Sequence, residues 1–291
     1  MKIFLDITQQ SLMLYPLVLG VYISYKILKI TDLTVEGSFV LGSSMFAKLL
    51  MEEINPMISM LIAVLSGSLA GVAISTIQKD DKIDSLTAGI LMTFILYSIN
   101  LKIMKVPNLQ IYDFTTVMSN FVDFFGLYGE LLFLTIIFFL SNLILIILFS
   151  TQLGLNLRAY GDNPKLLKKI GKSPHQYKIL GLCISNFLAA LSGVMTCQIY
   201  GFSDVNMGFG IALTAICALL IGEKILNQIS SDSKFLIFKD LLSCYLGIVI
   251  YYSTITFFLK VGIDPIHLKL LTGLSLIFLL KTIANKSYSN E

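Results

Sequence analysis

Few side chains in this chain could do chemistry, and their spacing argues against catalysis. The two histidines, His175 and His267, are far apart and form no H-E-x-x-H or similar pattern. The four cysteines, Cys183, Cys197, Cys217 and Cys244, all lie in apolar runs without a C-x-x-C pair. They read as buried thiols rather than disulfide partners or metal ligands. No H-x-x-x-D or paired-His constellation is present to carry metal or acid–base chemistry. Gly171-Lys172-Ser173 mimics the end of a P-loop, but the motif's first glycine would have to stand at Leu166, and Pro174 follows it. The expectation is a chain without catalytic residues, metal or bound cofactor. If ATP drives it, another chain hydrolyses the ATP.

What remains is a set of polar groups at the ends of apolar stretches or inside them: Asp32, Thr34, Glu36, Ser185, Asn186, Asp204 and Asn206. An ionisable residue inside a membrane marks a functional site by default. An acid at a helix start is also explained by the helix dipole. Capping accounts for Asp32 and Asp204 as well as a functional role does, whereas Glu36 lies deeper and reads as functional. For Ser185 and Asn186, bonding between helices and lining a path are both open.

The elements that must position these groups follow from composition. Of 291 residues, 56% are hydrophobic and only 13% charged, with mean hydropathy +0.82. A soluble domain carries roughly 25% charged residues, so the apolar surface must face lipid. A net charge of +3 is too small to imply nucleic acid. The N-terminal apolar stretch has no small-x-small cleavage site after it and reads as a retained helix. Stretches long enough to span, about 20 apolar residues each, occur at Ser11–Ile30, Leu33–Leu50, Met57–Ile77, Ser85–Met104, Gly129–Ser150, Lys178–Tyr200, Phe209–Leu226, Leu236–Lys260 and Pro265–Ala284. The expected fold is one all-α, polytopic transmembrane bundle of about 8–10 membrane segments, some broken or re-entrant, forming a single membrane domain over residues 1–291. The second segment carries Glu36, Gly37 and Gly42 and is expected to be broken or re-entrant. Such backbone survives at membrane depth only against protein or a water-filled cavity.

Basic residues set the orientation. Residues 151–178 hold Arg158, Lys165, Lys168, Lys169, Lys172 and Lys178 against Asp162, so this loop is expected in the cytoplasm. The stretch from Lys105 to Glu130 and the Glu52–Glu53 turn then fall outside. Lys79, Lys82, Lys224, Lys234, Lys239 and the tail with Lys281 and Lys286 fall inside, which places the C-terminus in the cytoplasm. The N-terminus lies outside with nine spans and inside if the second segment is re-entrant. Small residues gather at Gly67 and Gly71 and again at Ala189, Ala190, Ser192 and Gly193, faces that either let helices approach closely or line a path between them. A weak internal echo links Asp32-Leu-Thr-Val-Glu-Gly37 with Asp204-Val-Asn-Met-Gly208. Each is a short polar turn before a glycine-bearing apolar segment.

Within the basic loop, Gly161-Asp162-Asn163 supplies a turn and an N-cap, Pro164 fits the first helical position, and Gly171 stops the helix. Leu166, Leu167 and Ile170 share one face, ringed by lysines. This short amphipathic helix either rests on lipid headgroups or docks into a groove on a cytoplasmic partner.

Gly161-Asp-Asn-Pro164 with Gly171, then Lys178-Ile-Leu-Gly-Leu182, Ser185-Asn186, Leu191-Ser-Gly193 and Gly201-Phe-Ser-Asp204-Val-Asn-Met-Gly208, resembles the permease subunit of bacterial ABC importers. The likeness is to the branched-chain amino acid and ribose permease superfamily, nearest its tryptophan and tyrosine uptake branch. Asp32-Leu-Thr-Val-Glu-Gly-Ser38-Phe, Leu86-Thr-Ala-Gly-Ile90-Leu-Met-Thr93 and Leu96-Tyr-Ser-Ile-Asn-Leu101 agree, and the resemblance runs from Tyr15 to Gly222. The branch usually carries Asp where this chain has Glu36, a change that keeps the charge. The resemblance implies a multi-pass protein of the bacterial cytoplasmic (inner) membrane that pairs with a second copy or a related permease. Each copy would dock a cytoplasmic ABC ATPase through Asn163–Gly171 and receive substrate from an extracytoplasmic binding protein. It further implies alternating access for a small solute such as an amino acid, with an aromatic one nearest. A secondary carrier or channel is the rival reading. It would need buried charges for ion coupling, which are few here, and no docking helix of this form.

Overall fold

The computed structural model describes residues 2–79, 83–229 and 236–264, together with residues 267, 270, 273, 274 and 277. Among these, helices dominate. They are α1 (Lys2–Val21, prolonged by a wider π-helical turn, Tyr22–Ile27), α2 (Thr34–Met51), α3 (Pro56–Ile77), α4 (Ser85–Met104), α5 (Val117–Phe125), α6 (Gly129–Ser150), α7 (Gln152–Asp162), α8 (Pro164–Lys169), α9 (Pro174–Tyr200), α10 (Ile211–Ile229) and α11 (Leu236–Lys260). Seven are long and apolar enough to cross a membrane, among the described residues: Ile3–Ile27, α3, α4, α6, α9, Ile211–Gln228 and Ile237–Lys260. The chain is an all-α polytopic membrane bundle. The ninth expected segment, Pro265–Ala284, and Lys82, Lys234, Lys281 and Lys286 lie wholly or mostly outside the described residues.

The helix ends are set locally. Asn55 accepts the Met57 N–H at 2.9 Å ahead of Pro56, and Asp84 accepts the Leu86 N–H at 3.1 Å. α9 opens on Pro174 and closes at Gly201, whose φ of 70° suits glycine. The first span starts well before the expected Ser11. α9 starts at Pro174 rather than at Lys178. The interruption suggested by Gly37 and Gly42 lies ahead of α2, at residues 28–33, and α2 itself is unbroken.

α9 is the axis of the bundle. It packs on α1, α2 and α3, while α1 also packs on α10 and α11. α3 shows why the pattern works in lipid. Its large residues Leu61, Leu65 and Leu69 are exposed, and its small ones, Ala63, Gly67, Ala70 and Gly71, are buried. Gly67 and Gly71 lie against α9 at Asn186, Ala190, Leu182 and Cys183. Lipid tails are as apolar as leucine, so packing is won by small residues that let backbones approach. At Gly193 of α9 a side chain would collide with the carbonyl of Phe39 on α2.

The internal echo has a structural counterpart. Each half runs from a long helix (α1 or α9), through a short link carrying Asp32 or Asp204, into the next helix (α2 or α10). The partners are exchanged: α2 and α3 pack on α9, whereas α10 and α11 pack on α1. At one end a two-stranded antiparallel ribbon, β1 (Asn108–Gln110) with β2 (Phe202–Asp204), joins the segment after α4 to the segment after α9. At the other end Lys26 bridges Glu223 and Asp240, each at 2.9 Å, and the Tyr22 hydroxyl donates to Asp240 at 2.9 Å. This second end also holds α8 with Lys165 and Lys168, together with Lys79 after α3 and Lys178 of α9.

Gly193→Leu is expected to force α2 and α9 apart, at about 1–3 kcal/mol for overpacking. Leu69→Phe on the exposed face of α3 should be silent. Thermal denaturation followed by size exclusion in detergent distinguishes them.

Candidate functional site

The starts of α2 and α10 meet inside the bundle. After Ile27 the chain leaves its helix with Lys29 at φ 56°, and Asp32 then caps α2. Its Oδ1 accepts the Thr34 N–H at 2.9 Å, and its Oδ2 accepts the Asn186 amide at 2.9 Å. Asn186 in turn accepts from the Ser38 hydroxyl at 2.6 Å and donates to the Leu182 carbonyl at 3.0 Å. Asp32 is only 4% exposed, and Ser38 and Asn186 are fully buried. A polar group left unpaired in such surroundings is costly, and this network ties the start of α2 to the middle of α9. Thr34 is fully buried beside Asp32.

One turn into α2, Glu36 reaches the start of α10. The Ala212 N–H donates to its Oε1 at 3.3 Å. Gly208 packs so closely on the Glu36 carbonyl that a side chain there would collide with it. The carboxylate thus stands at the beginnings of two helices, α2 and α10, where both dipoles favour negative charge. Beside it opens a cavity of about 370 Å³, walled by α2, α4 and residues 205–209. Glu36, Thr93, Asn100 and Asn206 provide its polar groups, and Phe94, Tyr97 and Phe209 its aromatic ones. Thr93 donates to the Leu33 carbonyl at 3.0 Å, and Asn100 donates to the Gly37 carbonyl at 3.2 Å, so α4 clamps the outer side of α2.

Of the seven polar residues singled out in the sequence, Glu36 and Asn206 line this cavity. Asp32, Thr34, Ser185 and Asn186 lie in the buried contacts behind it. The Ser185 hydroxyl donates to the Gly20 carbonyl at 2.8 Å, linking α9 to α1. Asp204 holds its own turn through the Asn206 N–H at 2.8 Å and meets Asn108 across the ribbon at 3.2 Å. Sequence reasoning missed Thr93, Phe94, Tyr97, Asn100 and Phe209. Thr93, Tyr97 and Asn100 recur at i, i+4 and i+7, and that polar stripe on α4 was the available signal.

A second region sits at the basic end. α8 has its N-cap at Asn163, whose side chain accepts the Lys165 N–H at 3.0 Å, Pro164 at its first position, and Gly171 beyond it at φ 73°. Two expectations need correction. Gly161 and Asp162 are not a turn but the last residues of α7, a helix not foreseen. There Gly161 packs on Ile27 and Asp162 pairs with Lys29 at 2.8 Å. Leu166, Leu167 and Ile170 also do not share a face. Leu167 is fully buried, while Leu166 and Ile170 are 49% and 56% exposed, because adjacent helical residues point about 100° apart. Among the described residues, no group of three His, Cys, Asp or Glu is placed to hold a metal.

Comparison with known proteins adds the following. The family described as "Branched-chain amino acid transport system / permease component" matches residues 3–280. An uncharacterized protein of Rickettsia prowazekii (strain Madrid E) is 42% identical over 284 residues, covering 97% of this chain and 98% of that protein. The tyrosine transport system permease protein of Clostridioides difficile (strain R20291) is 36% identical over 278 residues, covering 96% and 90%. No solved structure matches the chain.

Asp32→Ala should lower thermal stability by about 1–3 kcal/mol, since it strips partners from Asn186 and from the first turn of α2. Asp32→Asn keeps a cap oxygen and should cost less, as read by unfolding midpoints in detergent.

Proposed function

The chain belongs to the branched-chain amino acid transport system permease family, and we propose that it is the membrane subunit of an ATP-driven importer of an aromatic amino acid. The cavity beside Glu36 carries this reading. It offers one carboxylate for an ammonium group, neutral donors and acceptors on Thr93, Asn100 and Asn206, and the rings of Phe94, Tyr97 and Phe209 for an apolar or aromatic side chain. A mostly apolar pocket with a few convergent polar groups is what a small solute requires. The name of the Clostridioides difficile relative supports tyrosine as the first substrate to try.

In this reading Glu36 links substrate to conformation. Its carboxylate belongs to the first turn of α2 and contacts the start of α10. An ammonium drawn to it competes with the helix N–H groups for the same charge and changes how firmly the two helix starts hold together. Ligand that favours one arrangement over another shifts the population between them. Asp32, Asn186 and Ser38 keep α2 seated on α9 meanwhile, so movement is confined to the contact of α2 with α4 and α10. ATP is hydrolysed on a separate cytoplasmic chain, and an extracytoplasmic protein delivers the substrate. A second permease copy completes the pathway. The protein lies in the cytoplasmic membrane, with the lysine-rich end and the C-terminus inside.

α8 is the docking element for the ATPase, through the exposed Leu166 and Ile170. Replacing Leu166 and Ile170 together by Asp is expected to abolish co-purification of a co-expressed ATPase while the permease stays monodisperse. Leu167→Asp should unfold it instead, because that side chain points into the protein. Intact recovery of the ATPase with the Leu166/Ile170 double variant would place the docking surface elsewhere.

Glu36→Gln keeps the shape and removes the charge. In reconstituted vesicles with all subunits it should cut tyrosine uptake at least tenfold, in line with the loss of a charge-assisted contact of about 1.5–3 kcal/mol. ATPase recovery should be unchanged. Wild-type uptake rates in Glu36→Gln would remove Glu36 from the path.

A further inference from the structure

At the lysine-rich end a separate cavity of about 420 Å³ opens between α3, α8 and α9. The end of α3 contributes Gln78 and Lys79, α8 contributes Lys165 and Lys168, and the start of α9 contributes Lys178. No described carboxylate lines it. Among the described residues, Lys79, Lys165 and Lys168 are in no ion pair and are exposed. Like charges gathered around one concave space raise its potential and attract an anion.

Two features make this a built site rather than a basic surface. Lys178 is only 5% exposed, and its Nζ is fixed by donating to the Gln78 carbonyl at 3.1 Å. Gln78 itself is 1% exposed. Its amide nitrogen donates to the Ser85 carbonyl at 3.4 Å, while its Oε1 is buried with no partner among the described residues. The lysines ask for negative charge and the Gln78 oxygen asks for a donor. A phosphodiester supplies only acceptors at its phosphate, so the donor must come from an attached hydroxyl.

The position names the source. Lys79 continues, at seven-residue steps, the stripe of α3 that exposes Leu65 and Val72, a surface for lipid chains. We infer that this cavity holds the phosphoglycerol head group of an anionic membrane lipid. The phosphate lies against Lys79, Lys165 and Lys168, the glycerol hydroxyl donates to Gln78 Oε1, and the acyl chains run along α3. Basic pockets at the cytoplasmic ends of spans suit anionic head groups. This assignment does not depend on the transported solute.

The test is native mass spectrometry of the delipidated full-length chain after adding back defined lipids. Phosphatidylglycerol is expected to bind about tenfold more tightly than phosphatidylcholine. Lys79→Gln with Lys168→Gln should erase that preference. Lys169→Gln, which removes a charge from α8 outside the cavity, should preserve it. Phosphatidylmethanol, equal in charge but without the hydroxyl, should bind the wild type more weakly than phosphatidylglycerol. That arm needs no variant and holds even if the double variant fails to fold. Equal binding of phosphatidylglycerol and phosphatidylcholine, or an unchanged preference in a well-folded double variant, would overturn the proposal. Binding of inorganic phosphate without any preference for phosphatidylglycerol would also overturn it, in favour of a soluble anion.

Discussion

A helix that begins inside an apolar bundle brings N–H groups with no intrahelical acceptor, and each must find one. Two helices here begin close to one another, α2 and α10, and the acids around them answer that requirement. Asp32 accepts from Thr34 and Asn186, and Glu36 accepts from Ala212. Once the links at residues 28–33 and 205–210 are fixed in this way, α2 has one place to lie. It rests on α9 with Gly42 against Ala190, and α4 lies across its outer side with Leu96 against Gly37. The cavity is the space left where α4 and the second link fail to close over Glu36.

Two sets of forces divide the molecule. Between α9, α2 and α3 the contacts are close, backbone to backbone, and a short buried hydrogen bond from Ser38 to Asn186 joins α2 to α9. Where α1, α10 and α11 meet near the basic end, the contact is ionic: Lys26 stands between Glu223 and Asp240, with Tyr22 beneath. Ion pairs of this kind depend on their remaining hydration far more than close packing does. The first set makes a rigid frame around α9. The second adds charge to a half whose own helices, α10 and α11, also touch closely at Gly222 and Gly247.

Much of the frame was legible in the residues. Seven spans followed from apolar length. The α8 cap followed from Asn163, Pro164 and Gly171, because capping is decided within a few residues. The limits appear where tertiary contact decides. Leu166 and Leu167 are chemically alike, and nothing local says which one faces the protein. α7 was missed because Gln152–Asp162 is too polar and short to announce a span, and its stability comes from Leu157 and Gly161 packing on distant segments. Asp204 and Glu36 look alike in the sequence echo. One pins a surface ribbon and the other borders a cavity, a difference created by α4, which the echo does not contain.

The exchange of partners between the two halves bears on how the chain is made. α2 and α3 emerge from the ribosome long before α9, the helix they pack on, and α1 emerges before α10 and α11. None of the early helices can complete its contacts when it is inserted. α1 must wait in lipid with Tyr22 and Lys26 until Asp240 arrives, and the small-residue face of α3 must wait for Leu182 through Ala190. Synthesis therefore gives no independently finished first half, and the bundle closes late, when the second half threads between helices already in place. Contacts so distant in sequence make assembly slow, and an incompletely made chain leaves polar side chains in hydrocarbon, where quality control can recognise them.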